Sequence, residues 1–269
     1  MAGAGIPSFP HLRQDDLNMK KLFSAVAMLV SLLVALPSLA QEGESRVLMV
    51  LTSHDAMGGS GEATGFWMAE LTHPYFALRE AGIAVDIVSI RGGKAPVDPR
   101  SLEEDDDDNR RFLEHAQTRK LIENTRPLSA VDPARYAAVI FVGGHGTMWD
   151  FPDQADVNRV AAAIYQEEGI VAAVCHGPAA LVGVTLDDGS RLVAGRKVTG
   201  FTNSEERAVG LDDVVPFMLE DALGEAGASF QGAADWQSNV VVDGRLITGQ
   251  NPASARALGE QVAQAVQGD

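Results

Sequence analysis

Residues 169–181 read GIVAAVCHGPAAL and contain the only cysteine of the 269-residue chain, Cys175. The apolar run that ends at Cys175 predicts a strand, and Gly177 and Pro178 predict the first turn of a helix, where the missing N–H of proline costs nothing. Ala173 and Gly177, two residues before and after the cysteine, are small enough for a sharp turn. This pattern predicts a nucleophile elbow at a strand-helix junction. An inert buried cysteine is the alternative.

The chain on either side of this turn alternates between apolar runs and helix-like stretches. Strands are predicted at 46–53, 83–90, 136–144 and 169–175, with later strand and hairpin pieces in RLVAGRKVTGFT and in NVVVDGRLITGQ, where Asp243-Gly244 forms the turn. Helices are predicted around 66–82, where Pro74 breaks the stripe, at 109–124 and 154–168, after Cys175, and in the final SARALGEQVAQAV. This order predicts an α/β fold: a doubly wound, mostly parallel, flavodoxin-like sheet with helices on both faces.

The N-terminal residues do not fit this pattern. From Met19 to Ala40 the chain has two lysines, an apolar stretch and small residues, which is the order of a secretory signal peptide. The apolar stretch is shorter than the roughly 20 residues of a membrane-spanning helix, so cleavage after Ala40 is favoured over a retained anchor. We therefore expect an upstream extension at 1–18, a signal peptide at 19–40, and a single α/β domain at 41–269 in a periplasmic or secreted protein.

The charge and the cysteine content exclude several classes of protein. A formal net charge of −16 repels phosphate backbones and anionic lipids, so we expect neither nucleic-acid nor membrane-surface binding. The acidic run at 103–108 predicts a solvated loop or a helix start. An exported chain with one cysteine forms no internal disulfide, so its thiol is either buried or used.

Four further residues could complete a site around the cysteine. Gly143 and Gly144 follow a buried strand, and their N–H groups, with that of His176, are candidates for an oxyanion hole. The imidazole of His176 is expected to project from a different side of the turn, where it polarises the site or pairs with a carboxylate from elsewhere. His145 either lines the pocket or anchors its loop.

Glu70 stands on an otherwise apolar helix face. A carboxylate in such surroundings either has a structural partner or is tuned towards neutrality, in which form it can donate a hydrogen bond to a thiolate. Both readings stay open from the residues alone.

Metal binding is not indicated by spacing. The six histidines include no H-x-x-x-H pair, and there is no second cysteine, so no structural zinc site is expected. The alternative hypothesis is that His54 and His73 meet near the mouth of the active site.

Five motifs in order resemble one family: TGFWMAELTHPY, FVGGHGTMWDFPD, AVCHGPAAL, VTGFTNSEE and TGQNPASA. Together they resemble the PfpI-like superfamily, with its class I glutamine-amidotransferase-like fold, and within it the heat-shock chaperone and glyoxalase III branch. The resemblance places the nucleophile at Cys175, its neighbouring histidine at His176, the acidic partner at Glu206, with Glu205 as fallback, and the glutamate that bonds the cysteine at Glu70.

The activity that this resemblance implies is a glyoxalase III reaction on a small 2-oxoaldehyde, without glutathione, metal or other cofactor. Residues 200–269 contain no histidine, which disfavours the glutamine-hydrolysing triad. The alternatives are a cysteine-dependent peptidase or amidase, a holdase chaperone, and a redox sensor based on a low-pKa cysteine. The resemblance also implies a possible homodimer.

Overall fold

The structure, a computed structural model, describes residues 1–3, 5, 45–103 and 105–268. One compact unit spans Glu44–Asp269. The predicted signal peptide and its cleavage point lie outside the described residues. Within the described ranges, no helix is both long enough and apolar enough to cross a bilayer.

The core of this unit is a seven-stranded sheet in the order β3-β2-β1-β4-β5-β9-β8. Its strands are β1 Arg46–Leu51, β2 Ala84–Ser89, β3 Arg126–Pro127, β4 Ala138–Phe141, β5 Ile170–Val174, β8 Val240–Asp243 and β9 Leu246–Gly249. The neighbouring pairs are parallel except β8–β9, which is antiparallel. A separate parallel pair joins β6 Lys197–Val198 to β7 Ser229–Phe230. The predicted doubly wound, mostly parallel sheet is confirmed.

The central strands are apolar because helices cover both faces of the sheet. Every residue of β4 and β5, and all of β1 except Arg46, is buried. From β1 the chain moves to β2 on one side, and β4 and β5 then extend the sheet in the other direction. Right-handed connections in opposite directions place their helices on opposite faces, and the carboxyl ends of β1 and β4 meet where the order reverses. That edge is where a site is expected.

The helices are α1 Met68–Glu80, α2 Asp107–Glu114, α3 Ala116–Glu123, α4 Thr147–Asp150, α5 Ala155–Gln166, α6 Asn203–Ala208, α7 Leu219–Glu225 and α8 Ala255–Gln267. Short 3-10 helices occupy Pro99–Leu102, Leu128–Ala130, Pro133–Arg135, Gly177–Leu181 and Pro252–Ser254. Helix α1 continues through Pro74 instead of breaking there. Close packing with α8 holds it, since a Cβ on Gly259 would lie 2.5 Å from the Cα of Pro74.

Three elements differ from the sequence predictions. The helix predicted at 109–124 is two helices, because His115 adopts an extended backbone between α2 and α3. The helix after Cys175 is a five-residue 3-10 helix, all of it buried, so tertiary packing and not helix propensity sets its length. Only two residues of RLVAGRKVTGFT, in β6, form a strand. The predicted hairpin forms from β8 and β9, but its turn is at Gly244 and Arg245 and not at Asp243-Gly244, because Asp243 still pairs with Leu246. Gly244 has φ +60° in this turn.

Candidate active site

Cys175 lies directly after β5 on a strained turn. Its φ is +58°, in the left-handed region that residues other than glycine rarely adopt. Its N–H donates to the Gly249 carbonyl at 2.9 Å, and its own carbonyl accepts from the Phe201 N–H at 2.8 Å. A Cβ on Gly177 would lie 2.2 Å from the Phe141 oxygen, so the sharp turn requires glycine there. These contacts build the predicted elbow.

The imidazole of His176 faces the thiol. Its Nδ1 lies 3.3 Å from Cys175 Sγ, and its Nε2 lies 2.7 Å from Glu206 Oε2. The expectation that this ring projects from another side of the turn was therefore wrong. The turn at Cys175 and the αR backbone of His176 bring the two adjacent side chains back together.

The carboxylate of Glu206 accepts hydrogen bonds from two imidazoles. Its Oε1 lies 2.9 Å from His145 Nε2 and its Oε2 lies 2.7 Å from His176 Nε2, and the two rings are 4.0 Å apart between centroids. Burial opposes ionisation, but attraction to a protonated His176 and hydrogen bonds from both rings outweigh it and hold the pKa of Glu206 well below its usual range. Glu206 is therefore a buried carboxylate that orients both histidines.

Arg100 fixes the tautomer of His145. Its Nη2 donates to His145 Nδ1 at 3.2 Å, and a guanidinium has donors only, so Nδ1 is unprotonated. The proton of neutral His145 then lies on Nε2 and is donated to Glu206. Burial, and the repulsion that a protonated His176 would exert, lower the pKa of His145 to about 4, which keeps the ring neutral at physiological pH.

The fallback residue, Glu205, points elsewhere. It completes a capping box with Thr202 at the start of α6. Its Oε1 accepts from the Trp236 N–H and from the side-chain amides of Gln250 and Asn251. Glu205 therefore holds three chain segments together and makes no contact with His176.

Glu70, in the first turn of α1, is completely buried. Burial raises the pKa of its carboxyl well above the usual range, against smaller lowering effects from the Cys175 thiol and the Gly143 N–H. Neither oxygen makes a hydrogen bond of good geometry to any described residue. The raised pKa favours the protonated form of Glu70, in which the carboxyl behind the thiol can donate a hydrogen bond.

The thiol does not ionise easily by itself. Burial raises the pKa of Cys175, and a charged Glu70 would raise it further, while the His176 N–H lowers it. A helix dipole lowers the pKa of the thiol little, because only a 3-10 helix of five residues follows the cysteine. A thiolate therefore requires proton transfer to His176 and hydrogen bonds from its neighbours.

The two glycines after β4 have different surroundings. Gly143 faces the Glu70 carboxyl with its N–H, and its Cβ would lie 2.4 Å from Glu70 Oε2, so it lies behind the thiol and outside the cavity wall. Gly144, at φ +102°, lines the cavity, and among the described residues nothing accepts a hydrogen bond from its N–H. Of the pair, only Gly144 is placed to hold an oxyanion.

A cavity of about 630 Å³ opens over the thiol. Its wall is mainly aromatic and apolar, with a few polar groups. It is formed by Trp67, Ala69, His73, Arg100, Asp106, Gly144, His145, Cys175, His176, Phe201, Val209, Trp236, Asn251, Pro252 and Ala253. Sequence reasoning missed Arg100, Phe201 and Trp236. Phe201 lies in the VTGFTNSEE motif. No motif contains Arg100 or Trp236, which reach the cavity only through the tertiary fold.

The two histidines suggested for the mouth do not meet. His73 lines the cavity and its Nε2 lies 2.7 Å from Asp106 Oδ2. His54 instead stacks on Trp149 at 5.1 Å and bonds the Ala56 carbonyl. They are directed away from each other because each has a partner of its own.

One group of described residues has the composition of a metal site. Donor atoms of His145, His176 and Glu206 all lie within 4.8 Å of one another. In the hydrogen-bonded arrangement both Nε2 atoms carry protons directed at Glu206, so a cation there would have to displace those protons. The donor set as arranged fits a hydrogen-bond network better than a metal ion.

An elbow cysteine at the carboxyl edge of a parallel sheet, backed by a buried glutamate and faced by a histidine, defines a class of flavodoxin-like α/β proteins. The chain matches the DJ-1/PfpI family over residues 62–265 and belongs to it. The resemblance drawn from its five motifs is therefore confirmed.

Its curated relatives include the glutathione-independent glyoxalase HSP31 of Saccharomyces cerevisiae, 34% identical over 79% of this chain and 94% of the relative. Glyoxalase 3 of Candida albicans is 30% identical over 81% and 96%. Among solved structures, Rapid Encystment Protein 24 kDa of Francisella tularensis is similar with a TM-score of 0.81 and 47% identity, covering 82% and 99% of the two chains. Glyoxalase III of Candida albicans has a TM-score of 0.77 and 29% identity, covering 82% and 97%.

Proposed function

We propose that the chain is a glutathione-independent glyoxalase that converts a small 2-oxoaldehyde such as methylglyoxal into the 2-hydroxy acid. The observation that supports this most is the contact of Cys175 Sγ with His176 Nδ1 at 3.3 Å, next to a cavity large enough for the substrate. The names of the relatives and of a similar solved structure agree with it. No cofactor is needed for this chemistry.

The first step is addition of the thiol to the aldehyde. His176 Nδ1 takes the thiol proton, and Glu206 stabilises the resulting imidazolium through Nε2. Glu70, as a neutral acid, donates towards the thiolate. Sulfur then bonds to the aldehyde carbon, and the Gly144 N–H stabilises the oxyanion of the hemithioacetal. This oxyanion takes the proton from the His176 imidazolium, which leaves a hemithioacetal hydroxyl and a neutral His176.

The second step moves hydrogen between the two carbons. A base removes the hydrogen on the former aldehyde carbon as a proton, and the electron pair forms an enediol with the neighbouring carbonyl carbon. Reprotonation of that second carbon gives a thioester of the 2-hydroxy acid. Water cleaves the thioester, and the acid leaves as the thiol regains its proton. His176 is assigned as the base because it lines the cavity, whereas Glu70 does not.

The test is formation of D-lactate from methylglyoxal by the purified protein, with chelator present and glutathione absent. Cys175→Ala should abolish turnover. Absence of turnover in the wild-type protein, with Cys175 still readily alkylated by iodoacetamide near neutral pH, would reject the glyoxalase assignment and favour a peptidase or amidase.

We also propose that the chain is exported and cleaved after Ala40, on the support of the signal-peptide pattern at 19–40. Mass spectrometry of the N-terminus of protein from the periplasmic fraction tests this, and an intact N-terminus would contradict it. A homodimer, which the family resemblance supports, is testable by sedimentation of the same material.

A further inference from the structure

Arg100 is the one permanent cation in the wall of the cavity, as far as the described residues go. Its guanidinium has five N–H donors. Nε donates to Asp98 Oδ1 at 3.0 Å, and Nη2 donates to Asp98 Oδ2 at 2.6 Å and to His145 Nδ1 at 3.2 Å. Three donors are thus used inside the protein. The two on Nη1 have no acceptor among the described residues.

Asp98 holds the guanidinium in place. Its side chain is completely buried and accepts from Thr64 Oγ1 at 2.9 Å and from the Arg100 N–H at 3.0 Å. Burial opposes its ionisation, but bonds from Arg100 and Thr64 lower the pKa of Asp98 below the usual value. The guanidinium carbon also lies 5.9 Å from the centre of the Trp67 ring. Arg100 is therefore oriented before any ligand arrives, so little side-chain entropy is lost on binding.

The other charges at the cavity do not occupy Nη1. The two oxygens of Glu206 each accept an imidazole N–H, and Asp106 is paired with His73. Arg100 is linked to the nucleophile by the ring of His145, which lies against the ring of His176 at 4.0 Å between centroids. A guanidinium N–H pair without an acceptor among the described residues, in the wall of the cavity that Gly144 and Cys175 also line, suits a carboxylate.

We propose that Arg100 is the carboxylate-binding residue of this cavity and that its ligand is a small 2-hydroxy carboxylate, the product of the reaction. The identity of that product rests on the proposed function. The neutral oxoaldehyde gains little from the guanidinium, whereas the charged acid gains a charge-assisted hydrogen bond. The enzyme is consequently inhibited by its own product, in competition with the substrate.

The test measures binding without turnover. D-lactate and its uncharged analogue D-lactamide are titrated calorimetrically into the purified wild-type protein, Arg100→Gln, Arg100→Lys and the matched control Arg119→Gln. Arg119 lies on α3 in an exposed ion pair with Glu123, outside the cavity wall. Protection of Cys175 from iodoacetamide by D-lactate reports whether the ligand occupies this cavity.

We expect wild type and Arg119→Gln to bind D-lactate alike and more tightly than D-lactamide. Arg100→Gln should weaken D-lactate binding by about 10-fold or more, the range of a charge-assisted hydrogen bond, with little change for D-lactamide. Arg100→Lys, which keeps the charge and loses the planar fork, should be intermediate.

Equal affinity of Arg100→Gln and Arg119→Gln for D-lactate would overturn the assignment. So would equal affinity of the wild-type protein for the acid and the amide, a comparison that needs no variant and holds even if Arg100→Gln does not fold. Methylglyoxal turnover is measured separately. A protein that binds D-lactate through Arg100 and turns over no methylglyoxal would reject the proposed function alone, and one with normal turnover and Arg100-independent binding would reject this inference alone.

Discussion

Glu205 and Glu206 are neighbours of identical chemistry, and both are buried, yet they bond different parts of the molecule. Successive helical residues point about 100° apart, so Glu206 reaches the histidines while Glu205 reaches the segments that hold Trp236 and Asn251. Their substitution by glutamine separates a role in the site from a role in stability.

Glu206→Gln is expected to lower kcat by about 100-fold to 10,000-fold, as when the acid of a catalytic triad becomes an amide. The carboxylate offers one oxygen to each imidazole N–H, whereas glutamine has one acceptor oxygen and one NH₂ donor. One imidazole would therefore face a donor, and its tautomer would no longer be fixed. The measurement is the steady-state rate with methylglyoxal. A kcat within a factor of three of wild type would contradict the role of Glu206.

Glu205→Gln is expected to act mainly on stability. The NH₂ group of the new side chain would face other hydrogen-bond donors in place of an acceptor oxygen. Buried donors would then be left unpaired, at a cost of about 1–3 kcal/mol. That corresponds to a fall in Tm of roughly 2–10 °C for a domain of this size. Thermal unfolding monitored by circular dichroism measures it. An unchanged Tm would show that these contacts contribute little.

Glu70 is predicted to act as a neutral hydrogen-bond donor to the thiolate. Glu70→Gln keeps a donor and should leave the pKa of Cys175 close to that of the wild type, whereas Glu70→Leu removes the donor and should raise this pKa. The pH dependence of alkylation by iodoacetamide measures both. If Glu70→Leu lowered the pKa of Cys175, the carboxyl would instead be charged in the native protein, because removing a nearby negative charge favours the thiolate.

At the scale of elements, the elbow depends on the absence of a side chain at Gly177. Gly177→Ala would put a methyl group 2.2 Å from the Phe141 oxygen, and should lower the free energy of unfolding by about 1–3 kcal/mol or more and slow turnover. Gly224→Ala in α7 is the matched control, because nothing lies within 4 Å of its Cβ, and it should stabilise by about 0.5–1 kcal/mol. Urea unfolding compares them, and equal stabilities would argue against a steric requirement at the elbow.

The strands were predictable from sequence because parallel strands buried on both faces are almost wholly apolar, as in β4 and β5. The irregular elements could not be predicted from the sequence in this way. Proline normally interrupts a helix, but packing against α8 keeps α1 continuous, and tertiary packing also shortens the helix after Cys175 to a 3-10 turn. Such elements are decided by contacts between segments distant in the chain.

For the whole molecule, His145 makes stability depend on pH. Its pKa in the folded protein, about 4, lies below the ordinary 6.5. The unfolded chain therefore takes up this proton first as pH falls, and the folded state loses stability between about pH 6.5 and pH 4. The shift corresponds to at most about 3–4 kcal/mol. Glu70, with a raised pKa, acts in the opposite direction as pH falls.

His145→Gln isolates the first contribution, since Glu70 is common to both proteins. Urea unfolding at pH 7, 5.5 and 4.5 should show a smaller loss of stability on acidification for the variant than for the wild type. If the free energy of unfolding fell equally in the two proteins on acidification, His145 would not be held neutral by the fold.

The sequence by itself determined the sheet, the position of the cysteine at a turn and the family, because apolar runs, small residues and ordered motifs are local properties. It also named Cys175, His176, Glu70 and Glu206 as members of one site. Only the tertiary structure decided how these side chains face one another. His176 turns back to the thiol, and Glu206, not Glu205, accepts hydrogen bonds from both imidazoles. Gly143 lies behind the thiol. Nothing in the sequence indicated that Arg100 would line the cavity. The physical reason is that the elbow, α1, α6 and the segment after Asp98 meet only through packing at the carboxyl edge of the sheet, and side-chain direction there is set by distant contacts.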